Sequence, residues 1–170
     1  MIQVKWEHIH DLNFDDSGNI SRQNASIYIS GVGWAILSFL IEPIKVSEVI
    51  EVKVKFRVET AATGQLLNIG KLTYDAEWDC WVHGWNTSHF VVDEEPFGLY
   101  VEDSDALQSA GDKEIDLGHV ADSDITSLLA CEEPKFFGMF LKGETSDVAT
   151  VASIAHANND ARPSLEIKTI

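Results

Sequence analysis

The sequence predicts an all-β chain, an antiparallel β-sandwich of jelly-roll topology with one short helix. Three observations lead there. The segment "EVIEVKVKFRVE" alternates apolar and charged residues without a break, the period of a strand with one buried and one wet face. About ten short apolar runs succeed one another with Gly, Pro, Asp or Ser between them. A single stretch, "DSDITSLLACEE", has helical spacing. At 170 residues, one domain spanning 1–170 is expected, large enough to bury a substantial core without staples.

The elements follow in chain order. "MIQVKWEHIH" reads as a first strand with Ile2, Val4 and Trp6 on one face. In "DLNFDDSGN", Asp16, Ser17, Gly18 and Asn19 suit a hairpin turn. The alternative, a calcium loop through Asp11, Asn13 and Asp15, lacks Gly at the sixth position and an acid at the twelfth, where Arg22 stands. "ASIYISG" and "GWAILSFLI" are strands, with Gly31 and Gly33 providing a turn or bulge. "EPIKVSEV" makes a Pro-containing corner. In the long alternating strand, Ile50, Val52, Val54, Phe56 and Val58 point one way. Glu51, Lys53, Lys55, Arg57 and Glu59 point the other, as an ordinary solvated face. "QLLNIGKLTY", "HFVVDE", "GLYVED", "KEIDLG", "FFGMFLKG" and "VATVASIA" are further strands. The helix at 122–133 would be capped by Asp122, Ser123 or Asp124 and bury Ile125, Leu128 and Leu129. Pro163 precedes a last strand carrying Leu165 and Ile167, expected to return beside the first strands and close the core.

Several of these segments together resemble the DNRLRE-type jelly-roll domains, which are related to carbohydrate-binding modules. "GWAILSFLIEPIKVSEVIEVKVKFRVE" is similar to the family's apolar strand, Pro corner and long alternating strand. "AEWDCWVHGWN" resembles its Trp-rich stretch, with Trp78, Trp85 and Asn86 matching and Gly84 in place of Thr. "KEIDLGHVADSDITSLLACEEPKFFGMFLKG" resembles a strand, short helix and strand. "VATVASIAHANNDARPSLEIKTI" resembles the closing hairpin, where Arg162, Pro163, Leu165 and Ile167 match an Arg-Pro-x-Leu-x-Ile ending. The resemblance covers residues 27–170. It implies a non-catalytic binding or structural domain, often an accessory to extracellular or phage surface proteins.

Charge narrows the function. A formal net charge of -16 repels phosphate backbones and anionic lipids, so neither nucleic acid nor a membrane surface is an expected partner. The N-terminus lacks the basic start, apolar run and cleavage site of a secretory signal. The apolar stretch "GVGWAILSFLI" is too short to span a bilayer. Cys80 and Cys131 have no CxxC spacing and read as reduced structural thiols, with one disulfide as the alternative.

Candidate sites are few. Tyr74, Trp78, Trp81 and Trp85 form an aromatic cluster suited to stacking on a sugar or anchoring a protein partner. The competing reading is that they pack one end of the sandwich. His8 and His10 share a strand face but lack further metal ligands, and Asp93, Glu94 and Glu95 are an unsupported calcium edge. No nucleophile elbow, HExxH or phosphate loop occurs, and His83, His89 and His156 are scattered. No enzyme activity, cofactor or metal is therefore expected. The leading expectation is a virion structural protein, a phage capsid decoration or cement protein placed on the particle surface after cytoplasmic synthesis. Its partners would be major shell subunits or copies of itself. The alternative is a carbohydrate-binding module or adhesin-like domain holding a glycan on its tryptophans.

Overall fold

A computed structural model describes residues 2–4, 9–14, 20–21, 25–32, 34–41, 49–71, 99–117 and 135–169. Within them lie twelve strands: β1 Ile2–Val4, β2 Ile9–Phe14, β3 Ile20–Ser21, β4 Ser26–Ile29, β5 Trp34–Ile41 and β6 Val49–Thr60, then β7 Leu67–Lys71, β8 Leu99–Asp103, β9 Gly111–Asp116, β10 Lys135–Lys142, β11 Ala149–Ala152 and β12 Ser164–Thr169. Every pairing among them is antiparallel. They form two sheets. The first holds β1, β12, β6, β11 and β4, with β9 also on β6; the second runs β3, β2, β5, β10, β7, β8.

The two sheets share one core. In β6, Val52, Val54, Phe56 and Val58 are buried, as the alternation requires. Ile27, Ile29, Val151, Leu165 and Ile167 join them from the same sheet, facing Ala35, Leu37, Phe39, Leu67, Ile69, Met139 and Leu141 of the other in a single apolar cluster. Each large side chain so buried contributes roughly 1.5–3 kcal/mol by leaving water. The described residues form an antiparallel β-sandwich. As expected, β12 returns to the start, pairing with β1 through Ile2 and Ile167, and its Leu165 and Ile167 are fully buried.

The route into β12 differs from the expected closing hairpin. Lys53, Val54 and Lys55 pair with both β9 and β12, so these two strands occupy opposite edges of β6. Val58 pairs with both β9 and β11, which puts β11 on the same edge as β12. Both run antiparallel to β6, so they are two halves of one interrupted strand. Between Val151 opposite Val58 and Ser164 opposite Lys55, residues 153–163 leave the sheet as an excursion. Local side chains take over from the ladder there. Ser153 Oγ accepts from Ala155 N at 3.0 Å, His156 Nδ1 from Asn158 N at 3.1 Å, and Asn158 Oδ1 from Asp160 N at 3.0 Å. Arg162 Nε donates to the His156 carbonyl at 2.8 Å. Ser and Asn compete with regular structure in this way, and Pro163 has no N–H to offer until the strand resumes.

The helical piece among the described residues is a 3-10 turn at Asn159–Ala161 inside this excursion. The helix expected at 122–133, the corner at 42–48 and the strand at 89–94 lie outside the described residues, as does Trp6. β2 and β3 pair through Phe14 and Ile20, and Asp11 and Asn13 are strand residues rather than a calcium loop; the turn expected at 16–19 lies outside the described residues. No helix among the described residues is long and apolar enough to cross a membrane.

Candidate protein-contact surface

Four connections pass from one sheet to the other: 30–33 from β4 to β5, 61–66 from β6 to β7, 104–110 from β8 to β9, and 143–148 from β10 to β11. Strand order sets them side by side at one end, in the sequence 30–33, 143–148, 61–66, 104–110. Backbone bonds stitch the first to the second and the third to the fourth. Gly31 N donates to Thr145 O at 2.6 Å and Gly143 N to Ser30 O at 3.1 Å; Ala62 N donates to Leu107 O at 3.0 Å. Asp103 Oδ1 accepts from Asp105 N and Ala106 N at 2.8 and 2.6 Å, turning the chain so that Leu107 seals the core beneath.

The middle of this plate is held by Gln65, a fully buried side chain. Its Nε2 donates to Thr145 O at 3.0 Å and Asp147 O at 2.5 Å. Its Oε1 accepts from Glu144 N at 2.8 Å and Thr145 N at 2.9 Å. One amide thus satisfies four backbone groups of the neighbouring connection, as burial of a polar side chain demands. Gln108 reaches in from the other side, donating Nε2 to Gln65 O at 2.7 Å and accepting from Gly64 N at 2.6 Å. Gly64 itself takes φ 81°, the left-handed turn conformation where a Cβ is unwelcome. A Cβ on Gly143 would sit 2.6 Å from the Gln65 amide carbon.

The plate's exterior is apolar at one corner. The exposed large hydrophobic residues among those described are Tyr28, Val32 and Val148, at 49%, 58% and 48% exposure. They lie on β4, the 30–33 connection and the 143–148 connection, which are neighbouring segments since Thr150 pairs with Tyr28 and Ala149 with Ile29. Glu144 and Asp147 are exposed on the 143–148 connection beside this corner, and Asp105 is exposed at the far end of the plate. The four connections contain no Lys or Arg.

The outer face of the first sheet is organised differently. Lys53 Nζ pairs with Glu51 at 3.2 Å and Glu114 at 2.8 Å, and Lys55 Nζ with Glu114 at 3.3 Å and Glu166 at 2.6 Å. Arg57 grips Asp112 with Nε and Nη2 at 2.6 and 3.1 Å. Hydrogen bonds from these cations hold the Asp112 and Glu114 carboxyls below their ordinary range; Lys53 is raised by its bonds to Glu114 and Glu51, Lys55 by those to Glu166 and Glu114, and Arg57 by Asp112. The face is an ion-pair lattice, more ordered than a merely solvated one. Beside it, a cleft of about 610 Å³ lies between β9, β6 and the excursion, lined by Lys55, Asp112, Glu114, Asn159, Asp160 and Arg162.

Ser26, Glu59 and His156 meet at the edge of this lattice. Ser26 Oγ donates to Glu59 Oε2 at 2.5 Å while His156 Nε2 sits 3.0 Å from Glu59 Oε1. The carboxylate bridges the two, and the other imidazole nitrogen accepts from Asn158 N, so these bonds join no ring nitrogen to the hydroxyl as a nucleophile and base require. The grouping anchors the excursion to β6.

Tyr74, Trp78, Trp81 and Trp85 lie outside the described residues, as do His8, His83, His89, Cys80, Cys131 and residues 93–95. His10 lies on β2, opposite Ser38 of β5. No group of three or more His, Cys, Asp or Glu able to hold a metal occurs among the described residues. Sequence reasoning did not single out the end plate or Gln65. The visible signal was the set of short, turn-rich segments between strands that change sheets. No protein-family model matches the chain, and no curated protein matches it significantly in sequence.

Proposed function

We propose that this chain is a non-catalytic jelly-roll protein of an assembled particle, a phage capsid decoration or cement protein or another exposed virion component, acting through protein contacts. The jelly-roll reading is supported by strand order. β4, β11, β6 and β9 lie side by side in one sheet, β5, β10, β7 and β8 in the other, and each pair joined by a crossing connection occupies matching places.

The observation that carries the contact reading is the end plate, a surface stitched by backbone bonds and buried Gln65 that presents Val32 and Val148 to solvent. A pre-ordered surface loses little conformational freedom on docking, so modest apolar contacts yield net affinity. A stable interface there would need about 1,200–2,000 Å² of total buried area, reached with the neighbouring β4 corner. High acidity suits crowding on a particle by keeping copies soluble and apart.

The test is incorporation. Mass spectrometry of purified virions should find the wild-type chain, and Val32→Asp with Val148→Asp should abolish incorporation while leaving the unfolding midpoint unchanged. Absence of the wild-type chain from the particles refutes the virion setting. Normal incorporation of the folded double variant refutes the role of the plate.

A further inference from the structure

We infer that the end plate docks against a basic surface of a different protein, and that it is not an interface between two copies of this chain. The inference rests on the reading of the plate as a protein-contact surface and names the chemistry of its partner.

Charge is unevenly distributed over the described surface. On the outer face of the first sheet, Lys53, Lys55 and Arg57 are each matched by carboxylates from β6, β9 or β12. An incoming cationic surface would have to break those pairs to gain any of its own. The plate offers the opposite case. Asp103, Asp105, Glu144 and Asp147 lie in or beside its connections; the connections contain no Lys or Arg, and Lys142 is the one cation directly flanking them. Asp103 is engaged as a turn acceptor and Glu144 Oε1 accepts from Asn68 Nδ2 at 3.2 Å, while Asp105, Glu144 and Asp147 are all exposed. Exposed charge of mainly one sign on a rigid base steers an opposite surface and fixes its register.

Apolar contact is added at one corner. Val148 follows Asp147 directly, and Val32 sits beside Gly31, whose N–H donates to the Thr145 carbonyl of the same connection. The pattern is a small apolar patch with a charged rim, which favours a partner of complementary sign. A second copy would be a poor occupant. A two-fold interface sets the same patch against itself, so it would bring the Glu144 and Asp147 carboxylates of both copies together. Two chains of net charge -16 would add general repulsion.

Lysozyme serves as a basic protein probe, with binding measured by calorimetry at low and high salt. Glu144→Lys with Asp147→Lys is compared with Asp116→Lys and Asp160→Lys, which change the net charge equally but lie away from the plate. The plate variant should weaken lysozyme binding at least about tenfold and the control less than about twofold. Equal loss in both would overturn the inference, because overall charge alone would then explain the binding. Sedimentation velocity of the wild-type chain should show no self-association; a dimer abolished by the plate variant would also overturn it. Should the Lys pair fail to fold, Glu144→Gln with Asp147→Asn gives the same comparison against Asp116→Asn with Asp160→Asn. Plate-directed lysozyme binding by a chain absent from purified virions would defeat the virion reading and leave this inference standing. Incorporation with indiscriminate lysozyme binding would do the reverse.

Discussion

Replacing Gln65 with Leu tests the end plate most directly. The side chain is fully buried and satisfies Glu144 N, Thr145 N, Thr145 O and Asp147 O. Leucine has similar bulk and offers none of these bonds. Residues 144–148 are exposed, so part of the freed backbone can turn to water. If one or two of the four groups stay buried without a partner, at about 1–3 kcal/mol each, the cost is about 2–4 kcal/mol. Urea unfolding measures it: the midpoint should fall with the slope unchanged, since the buried surface is nearly the same. Gln65→Glu adds a second arm. It keeps the acceptors but sets a carboxylate oxygen toward the Thr145 and Asp147 carbonyls, so the charged form is disfavoured and the folded-state pKa is raised. Its deficit relative to wild type should therefore be largest at neutral pH and shrink as pH falls through that raised value. A Gln65→Leu cost below about 1 kcal/mol, or a Gln65→Glu deficit that grows on acidification, would refute the assignment of Gln65 as the pin.

Three further outcomes are expected. Gly143→Ala drives a Cβ to 2.6 Å from the Gln65 amide carbon, so it should cost about 1–3 kcal/mol in denaturant unfolding, far more than the same change at an open exposed site. Leu165→Ala should cost about 2–5 kcal/mol, because the residue is fully buried where β12 pairs with Val54; a near-neutral result would show that the returning strand does not close the core. The ion-pair lattice should respond to acid. Asp112 and Glu114 have folded-state pKa values lowered by Arg57, Lys53 and Lys55, so their contribution is present above the ordinary carboxylate range and lost as pH falls through the lowered values. Asp112→Asn with Glu114→Gln should flatten the acid limb of a stability-against-pH curve, and an unchanged limb would show the lattice to be energetically silent.

The legible parts of the fold were those in which a local pattern reports burial. The strict alternation of 50–58 identified the faces of β6, and the described core follows it from Val52 to Val58. The apolar runs around Leu37, Met139 and Leu165 likewise became strands with core positions at period two. The family resemblance implies a closing hairpin at 148–170, whereas β11 and β12 lie end to end along one edge of β6. Both β11 and β12 look like ordinary strands locally, and only their shared partner β6 shows that they are one strand with an excursion between them. The charged face of β6 was visible as a face, whereas its order was not: Glu114 and Glu166 come from strands far along the chain. Gln65 gave no signal at all, since its four partners lie some eighty residues downstream.

The amino-acid sequence by itself determined the strand class, the inward face of each long strand and the acidic character of the exterior. These depend on neighbours within one or two residues and on composition. Tertiary structure alone decided which strands share an edge, which connections lie side by side, and that a buried glutamine joins them. Such features arise from pairing across long sequence separations, where register and sheet order, rather than local preference, set the contacts.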